Sequence, residues 1–206
     1  MDNDRPLWPS TPVVNTPRLV LRRWRDDDIE PMAAINADPE VMRWIGTGSV
    51  RDLEQTRSGI AAIERQWEAS GYGLFAIEER ASGVLLGFTG MAVPYFLPEV
   101  MPSVEIAWRL GRQHWGKGIA TEASAAALGF GLIDRGLDRI IAIVQIGNDA
   151  SERIMIKLGM HEERQTIDPA TGRPLRVYEI TRTGYLAARR DRASHQHRRQ
   201  ADQQPG

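Results

Sequence analysis

"GRQHWGKGIATEA", residues 111–123, is the stretch whose reading decides the fold. Its first seven residues run G-x-x-x-x-G-K, the opening of a nucleotide-binding P-loop, which continues with a Ser or Thr whose hydroxyl holds Mg²⁺. Here the next residue is Gly118. Upstream, "VEIAWRLG" (104–111) reads as a strand, and a helix follows from about residue 118 through about Arg135. Glycines between a strand and a helix N-terminus form an anion cradle. The first helical amides lack an internal acceptor and carry partial positive charge, and glycine lets an anion approach the backbone. Arg112 and Lys117 add charge nearby. The same glycines also suit a tight turn that needs their backbone angles. The absent metal hydroxyl favours a metal-free cradle for a pyrophosphate over a site that transfers a γ-phosphate.

Working outward, strands and helices alternate. "RLVLRRWR" (18–25) sets Leu19, Leu21 and Arg23 against Val20, Arg22 and Trp24, a strand with two dissimilar faces. "DDDIEPMAAINADPEVMRWIG" opens with acidic residues suited to a helix N-terminus, and Pro39 divides it into two short helices. In "VRDLEQTRSGIAAIERQWEASG" (50–71), Leu53, Ile60, Ile63 and Trp67 recur at helical spacing, and Gly71 suits the stop. "GLFAIEER" (73–80) and "GVLLGFTGMAVPYF" (83–96) are separated only by "AS" and read as an antiparallel hairpin. Beyond the glycine loop and its helix, "DRIIAIVQIG" (138–147) has the continuous apolar run of a strand buried on both faces. "NDASERIMIKLG" (148–159) is a short helix with Asn at its cap, and "MHEERQTIDPATGRPLRVYEITR" is a final hairpin. This order predicts a mixed α+β sheet, mostly antiparallel, with helices on both faces and one parallel crossover around the glycine loop.

Charge and composition narrow the function. A formal net charge of −1 leaves no basic footprint for nucleic acid or an anionic membrane, so neither is expected as a partner. Cysteine is absent, which removes disulfides, thiolate nucleophiles and Cys-based zinc sites and is compatible with a reducing cytosol. The start, "MDNDRPLWPSTP", has no apolar segment of a signal peptide, so a cytoplasmic protein is expected. Residues 1–15 are expected as an arm, 16–187 as one domain and 188–206 as a disordered polar tail.

Gln113-His114-Trp115-Gly116-Lys117-Gly118 resembles the Q/R-x-x-G-x-G/A pyrophosphate loop of the GNAT acyl-CoA-dependent N-acetyltransferases. "HWGKGIATEA" is similar to the form found in the RimJ/RimL-type branch. "TPRLVLRRWRDDDIEPMAAINADPEVMRWIG" resembles that branch's first strand and helix pair, and "NDASERIMIKLGM" resembles its N-x-x-S…K-x-G-F/M segment. The resemblance spans about residues 16–186. It implies a twisted sheet of seven strands with a central splayed parallel pair, acetyl-CoA as co-substrate, no metal, and an amine acceptor. A protein N-terminus is the first choice of acceptor and a small-molecule amine the second, with the protein a monomer or homodimer.

By resemblance, Ile106, Ala107 and Trp108 offer the strand edge to pantetheine, and residues Gln113, His114, Trp115, Gly116, Lys117 and Gly118 surround the pyrophosphate. Thr121 lies one turn further, within reach of a phosphate oxygen, or bonds the preceding turn as helix hydroxyls do. Asn148 matches a cofactor-contacting Asn while also suiting a helix cap, and Ser151 matches the residue that contacts CoA and protonates its departing thiolate, or is simply the third-position hydroxyl of the same helix. Glu105, inside an apolar strand, is the candidate base, acting through water. Its alternative is a solvated face or an ion pair with Arg109. Tyr178 is a further candidate acid or lining residue, set against ordinary core packing. Trp44, Tyr95 and Phe96 sit by loops that line the acceptor cleft in relatives. Two other classes stay open: a non-catalytic acyl-CoA-binding module, and a P-loop NTPase or kinase.

Overall fold

The alternation in "RLVLRRWR" becomes strand β2 (Leu19–Arg22), which turns Leu19 and Leu21 fully into the core. It pairs on one side with a two-residue strand, β1 (Val14–Asn15), and on the other with β3 (Leu74–Glu79). The computed structural model describes residues 12–201, with side chains described as far as residue 191. Strands β4 (Leu85–Ala92), β5 (Val104–Leu110), β6 (Arg139–Gln145), β7 (His161–Ile167) and β8 (Pro174–Thr181) complete one sheet in the order β1-β2-β3-β4-β5-β6-β8-β7. Every neighbouring pair is antiparallel except β5 and β6. The eighth strand, beyond the seven expected, is β1, where Val14 pairs with Leu21. Residues 1–11 of the expected arm and 202–206 of the expected tail lie outside the described residues.

Helix ends follow local chemistry. Pro39 stands at the first position of α2 (Pro39–Met42), where its missing N–H costs nothing, and the Asp38 carboxylate accepts the Glu40 amide at 2.9 Å. In α3 (Leu53–Ser70) Asp52 and Gln55 exchange side-chain and backbone bonds in a capping box. Gly71 ends that helix at φ 69°, a left-handed angle glycine adopts without a Cβ penalty. Leu53, expected on the buried face of α3, is instead 44% exposed. Thr56 is buried in the same first turn, where its hydroxyl accepts Asn36 Nδ2 at 2.9 Å.

Period-two alternation assigns the strands' two faces. Val104, Ile106, Leu110, Ile140, Ala142 and Val144 pack against α4 (Ile119–Gly129), its continuation through Asp134, and α5 (Asp149–Lys157). The opposite face of the neighbouring strands carries Ala76, Phe88 and Leu85 against α1 (Ile29–Asn36), α2 and α3. The buried run predicted for β6 is present: Ile140, Ile141 and Ala142 are wholly buried. Helix α6 (Arg182–Ala201) follows β8.

The chain entering α1 is held by a buried ion cluster. Arg22 forks onto Asp28 at 2.7 and 2.8 Å and reaches Glu78 at 2.6 Å, while Asp28 also accepts the Arg25 amide at 2.8 Å. Both Arg22 and Asp28 are more than nine-tenths buried, and the two carboxylates hold the guanidinium's proton affinity above its ordinary value against the pull of burial. Removing one partner of a buried pair costs about 3 kcal/mol or more. Asp28→Ala is therefore expected to lower the melting temperature by roughly 6–12 °C. A thermal melt within 2 °C of the parent protein would show that the cluster contributes little.

Candidate active site

Strands β5 and β6 pair only at their beginnings, Val104 with Ile140 and Glu105 with Ile141, and then diverge. Beyond Glu105 the edge of β5 has no strand partner, and a cavity of about 720 Å³ opens in the V between the strands. Its walls are Glu105 to Leu110 on one side and Ile143 to Gln145 on the other. Asn148 and Ser151 close the end beyond β6, and Trp44, Ile45, Thr47, Phe88 and Phe96 form the opposite mouth. A volume of this size is typical of pockets that enclose an organic ligand.

Register decides which predicted residues meet there. Glu105 lines the cavity. Enclosure of its carboxylate away from bulk water pushes its pKa up to about 8, with the Ile143 backbone amide pulling weakly the other way. Ile106, Ala107, Trp108, Trp115, Asn148 and Ser151 line the same space. Asn148 caps α5 by accepting the Ser151 amide at 3.3 Å, so one side chain orients the helix whose third residue is the candidate acid. Tyr178 does not join them. Its register with Ala142 puts it on the α4 side of the sheet, and its hydroxyl donates to Glu152 at 3.0 Å. Arg176 bonds the same Glu152 carboxylate. Tyr95 is 75% exposed and outside the lining, whereas Trp44 and Phe96 belong to it.

The glycine loop sits past the open end of β5. Gly116 and Gly118 adopt φ 73° and 75°, and Gly118 occupies the cap of α4. The Glu122 amide is the first to bond back, to the Gly118 carbonyl at 3.0 Å, so the amides of residues 119–121 have no acceptor within the helix. Glu122 would repel an anion at this end, but its carboxylate is turned away. It accepts the Thr16 hydroxyl at 2.6 Å and Arg18 Nε at 2.7 Å. Burial works against its ionisation, yet these bonds outweigh it and keep its pKa below the ordinary value. Arg18 also donates to the Lys117 carbonyl at 2.9 Å and so braces the loop from the residue just before β2. The Trp115 indole donates to the Leu110 carbonyl at 3.0 Å, fixing the turn. Burial and then the Lys117 charge lower the His114 pKa. Thr121 is half-buried one turn into the helix.

Three residues of this region escape a linear reading. Arg18 lies about a hundred positions from the loop it braces. Arg109, on the same face of β5 as Glu105, is 9% exposed and makes no ion pair with it. Its Nη1 donates to Asn36 Oδ1 at 2.5 Å, its guanidinium lies 5.0 Å from the centre of the Phe88 ring, and its Nε is buried without a partner. Arg51 stands near it at the cavity mouth. Burial foremost, and then the Arg51 charge, lower the Arg109 pKa to about 9, which leaves it a cation at neutral pH.

Comparison with known proteins bears on the family and the fold. A family model described as an acetyltransferase (GNAT) domain matches residues 18–161. The uncharacterized N-acetyltransferase YoaA of Bacillus subtilis (strain 168) is 30% identical, over 74% of this chain and 84% of its own. A crystal structure of an acetyltransferase (GNAT family) from Bacillus anthracis superposes with a TM-score of 0.70 at 27% identity, covering 84% of this chain and 99% of that one. RimL, a ribosomal L7/L12 alpha-N-protein acetyltransferase solved in complex with coenzyme A, shares the fold at a TM-score of 0.68 and 15% identity, with 82% and 98% covered.

Proposed function

This chain belongs to the GNAT acetyltransferase family, and on that premise we propose that it moves acetyl from acetyl-CoA to a primary amine by direct attack in a ternary complex. The observation that carries this reading is the splay of β5 from β6 between a helix-end anion cradle and an enclosed carboxylate. The loop amides and the first amides of α4 hold the pyrophosphate, with Gly116 and Gly118 letting it approach and Lys117 adding charge. The pantetheine arm lies in the V, pairing with the unpartnered edge of Ile106, Ala107 and Trp108, while Asn148 contacts it from the α5 cap.

The acetyl group then sits beside β5, where a backbone amide of residues 107–109 polarises its carbonyl. The amine lone pair attacks the carbonyl carbon, a tetrahedral oxyanion forms, and its collapse breaks the C–S bond. Glu105 takes the amine proton through water, for which a pKa near 8 is well matched. Ser151, on the α5 side of the gap, gives a proton to the departing thiolate and is reprotonated from solvent, while Glu105 returns its proton to water. No covalent enzyme intermediate is required. Tyr178, bonded to Glu152 on the other sheet face, supports this centre by packing rather than by proton transfer. A protein N-terminus is the first acceptor to test, in keeping with the RimL-type fold, and small-molecule amines are the second.

The test has two parts. Acetyl-CoA at a hundredfold over its dissociation constant is expected to stabilise the protein by about 2.7 kcal/mol, a rise of roughly 5–10 °C in melting temperature. Mg-ATP is expected to give no rise, and a rise with Mg-ATP alone would instead support a nucleotide-hydrolysing site. Thiol release from acetyl-CoA, followed against peptides and small amines, then separates an enzyme from a binding module. Stabilisation without release for any amine would overturn the transfer reaction.

A further inference from the structure

We propose that Arg109, with Arg51 at the mouth, is an anion-binding subsite for the acceptor, so that the amine acetylated here also carries a carboxylate. This rests on the transferase reading and narrows its substrate class. A guanidinium more than nine-tenths buried needs compensation for the hydration it has lost, ordinarily a carboxylate within the fold. Among the described residues Arg109 has none. Its Nη1 meets the neutral amide of Asn36, its planar face meets Phe88, and its Nε is sealed from solvent with nothing to bond. Asn36 is itself occupied on its other side, donating to Thr56 at 2.9 Å.

The cavity beside Arg109 contains few free anions to take that role. Glu40 pairs with Arg43 at 3.2 Å. Asp168 accepts the Ala170 and Thr171 amides at 2.8 and 3.3 Å, which commits it to its turn. Glu105 lies four residues back along β5, about 13 Å at the usual strand rise, and makes no contact with Arg109. Arg51 adds a second cation on the same wall and enters no ion pair among the described residues. The acceptor mouth is therefore positive at Arg109 and Arg51, with the candidate base further in. An acceptor with its amine toward Glu105 and a carboxylate toward the cavity-facing part of the Arg109 guanidinium supplies the missing countercharge. The spacing suits an amine and carboxylate separated by under about 13 Å. Free amino acids and short peptides with an early acidic residue both present that chemistry.

The experiment compares matched acceptors with the full chain and acetyl-CoA, reading thiol release. One arm pairs free amino acids with their carboxamides. The other pairs short peptides bearing Asp or Glu at the second or third position with the Asn or Gln versions. The expected result is a kcat/KM at least ~10-fold higher for the carboxylate member of one arm, the arm identifying the source. Arg109→Gln is expected to collapse that ratio toward one, and Arg109→Lys to keep part of it. Acetyl-CoA affinity measured on each variant reports whether the fold survives. Should Arg109→Gln fail to fold, the wild-type ratio in the peptide arm still decides, because those pairs differ at a side-chain anion and keep their α-amine, while the free amino acid arm is compared at equal concentrations of neutral amine. Equal use of both members, use of neither while other amines are acetylated, or a ratio that survives Arg109→Gln overturns this subsite alone. Failure of acetyl-CoA to bind overturns the transferase reading instead.

Discussion

Glu105→Gln is expected to lower kcat by about 10²–10³ and to remove one ionisation from the rising limb of the pH–rate profile. The wild-type carboxyl, held up to about 8 by its enclosure, is largely protonated at pH 7 and becomes a competent base only as pH rises. An acceptor α-amine, whose ordinary pKa is about 7.7–8.0, must also be neutral to attack. Two protons leave before reaction, so log kcat/KM should climb with a slope approaching two below pH 7. In Glu105→Gln only the amine still titrates, and the slope should fall to one. Stability moves with the same ionisation. A folded pKa raised from 4.5 to about 8 favours the fold fully below pH 4.5, and that contribution is lost as pH climbs through 8. Gln stays neutral throughout, so the variant should lose less stability than the wild type between pH 5 and 9 in denaturant midpoints. Full turnover from pH 6 to 9 with an unchanged slope would remove Glu105 from the chemistry.

That Glu105 lies on a strand inside an otherwise apolar run is legible in "VEIAWRL". What the face meets was not legible. The ion pair with Arg109 that i, i+4 proximity suggests is absent, since strand neighbours four apart are far separated while Asn36, 73 positions away, is adjacent in space. Tyr178 illustrates the same limit. Its strand could be read from "LRVYEIT", but the phase that sends it to the α4 side is set by pairing with Ala142. Asp28 was read as an acidic start to a helix. It does stand at the cap of α1, but the sheet also brings Arg22, itself bonded to Glu78, onto its carboxylate, and this long-range half of a buried pair is not readable locally. Capping chemistry, glycine stops and the order of elements depend on near neighbours, and these were readable. The cradle belongs to that class, although its brace, Arg18, does not.

Gly118→Asp is expected to weaken acetyl-CoA binding by at least ~100-fold while leaving the fold intact, and its logic rests on two opposing local effects. At φ 75° any residue with a Cβ is strained by roughly 1–2 kcal/mol, although Asp and Asn tolerate this region best. An aspartate at a helix cap also accepts a free amide, which offsets about 1 kcal/mol of that strain. No backbone blocks the new side chain, since the nearest atom to an added Cβ is Arg18 Nη2 at 3.5 Å. Melting temperature should therefore change by only a few degrees. The carboxylate would, however, occupy the space over the amides of residues 119–121 and repel the pyrophosphate. Loss of two charge-assisted bonds at about 1.5–3 kcal/mol each sets the expected scale. Gly118→Asn separates the causes, because it imposes the same shape and the same φ without the charge. Its affinity should fall by only about tenfold, consistent with crowding without repulsion. If calorimetry finds both variants within threefold of the wild type, the loop is a turn and the pyrophosphate is held elsewhere. If Asn weakens binding as much as Asp, geometry rather than the field of the helix end governs the cradle.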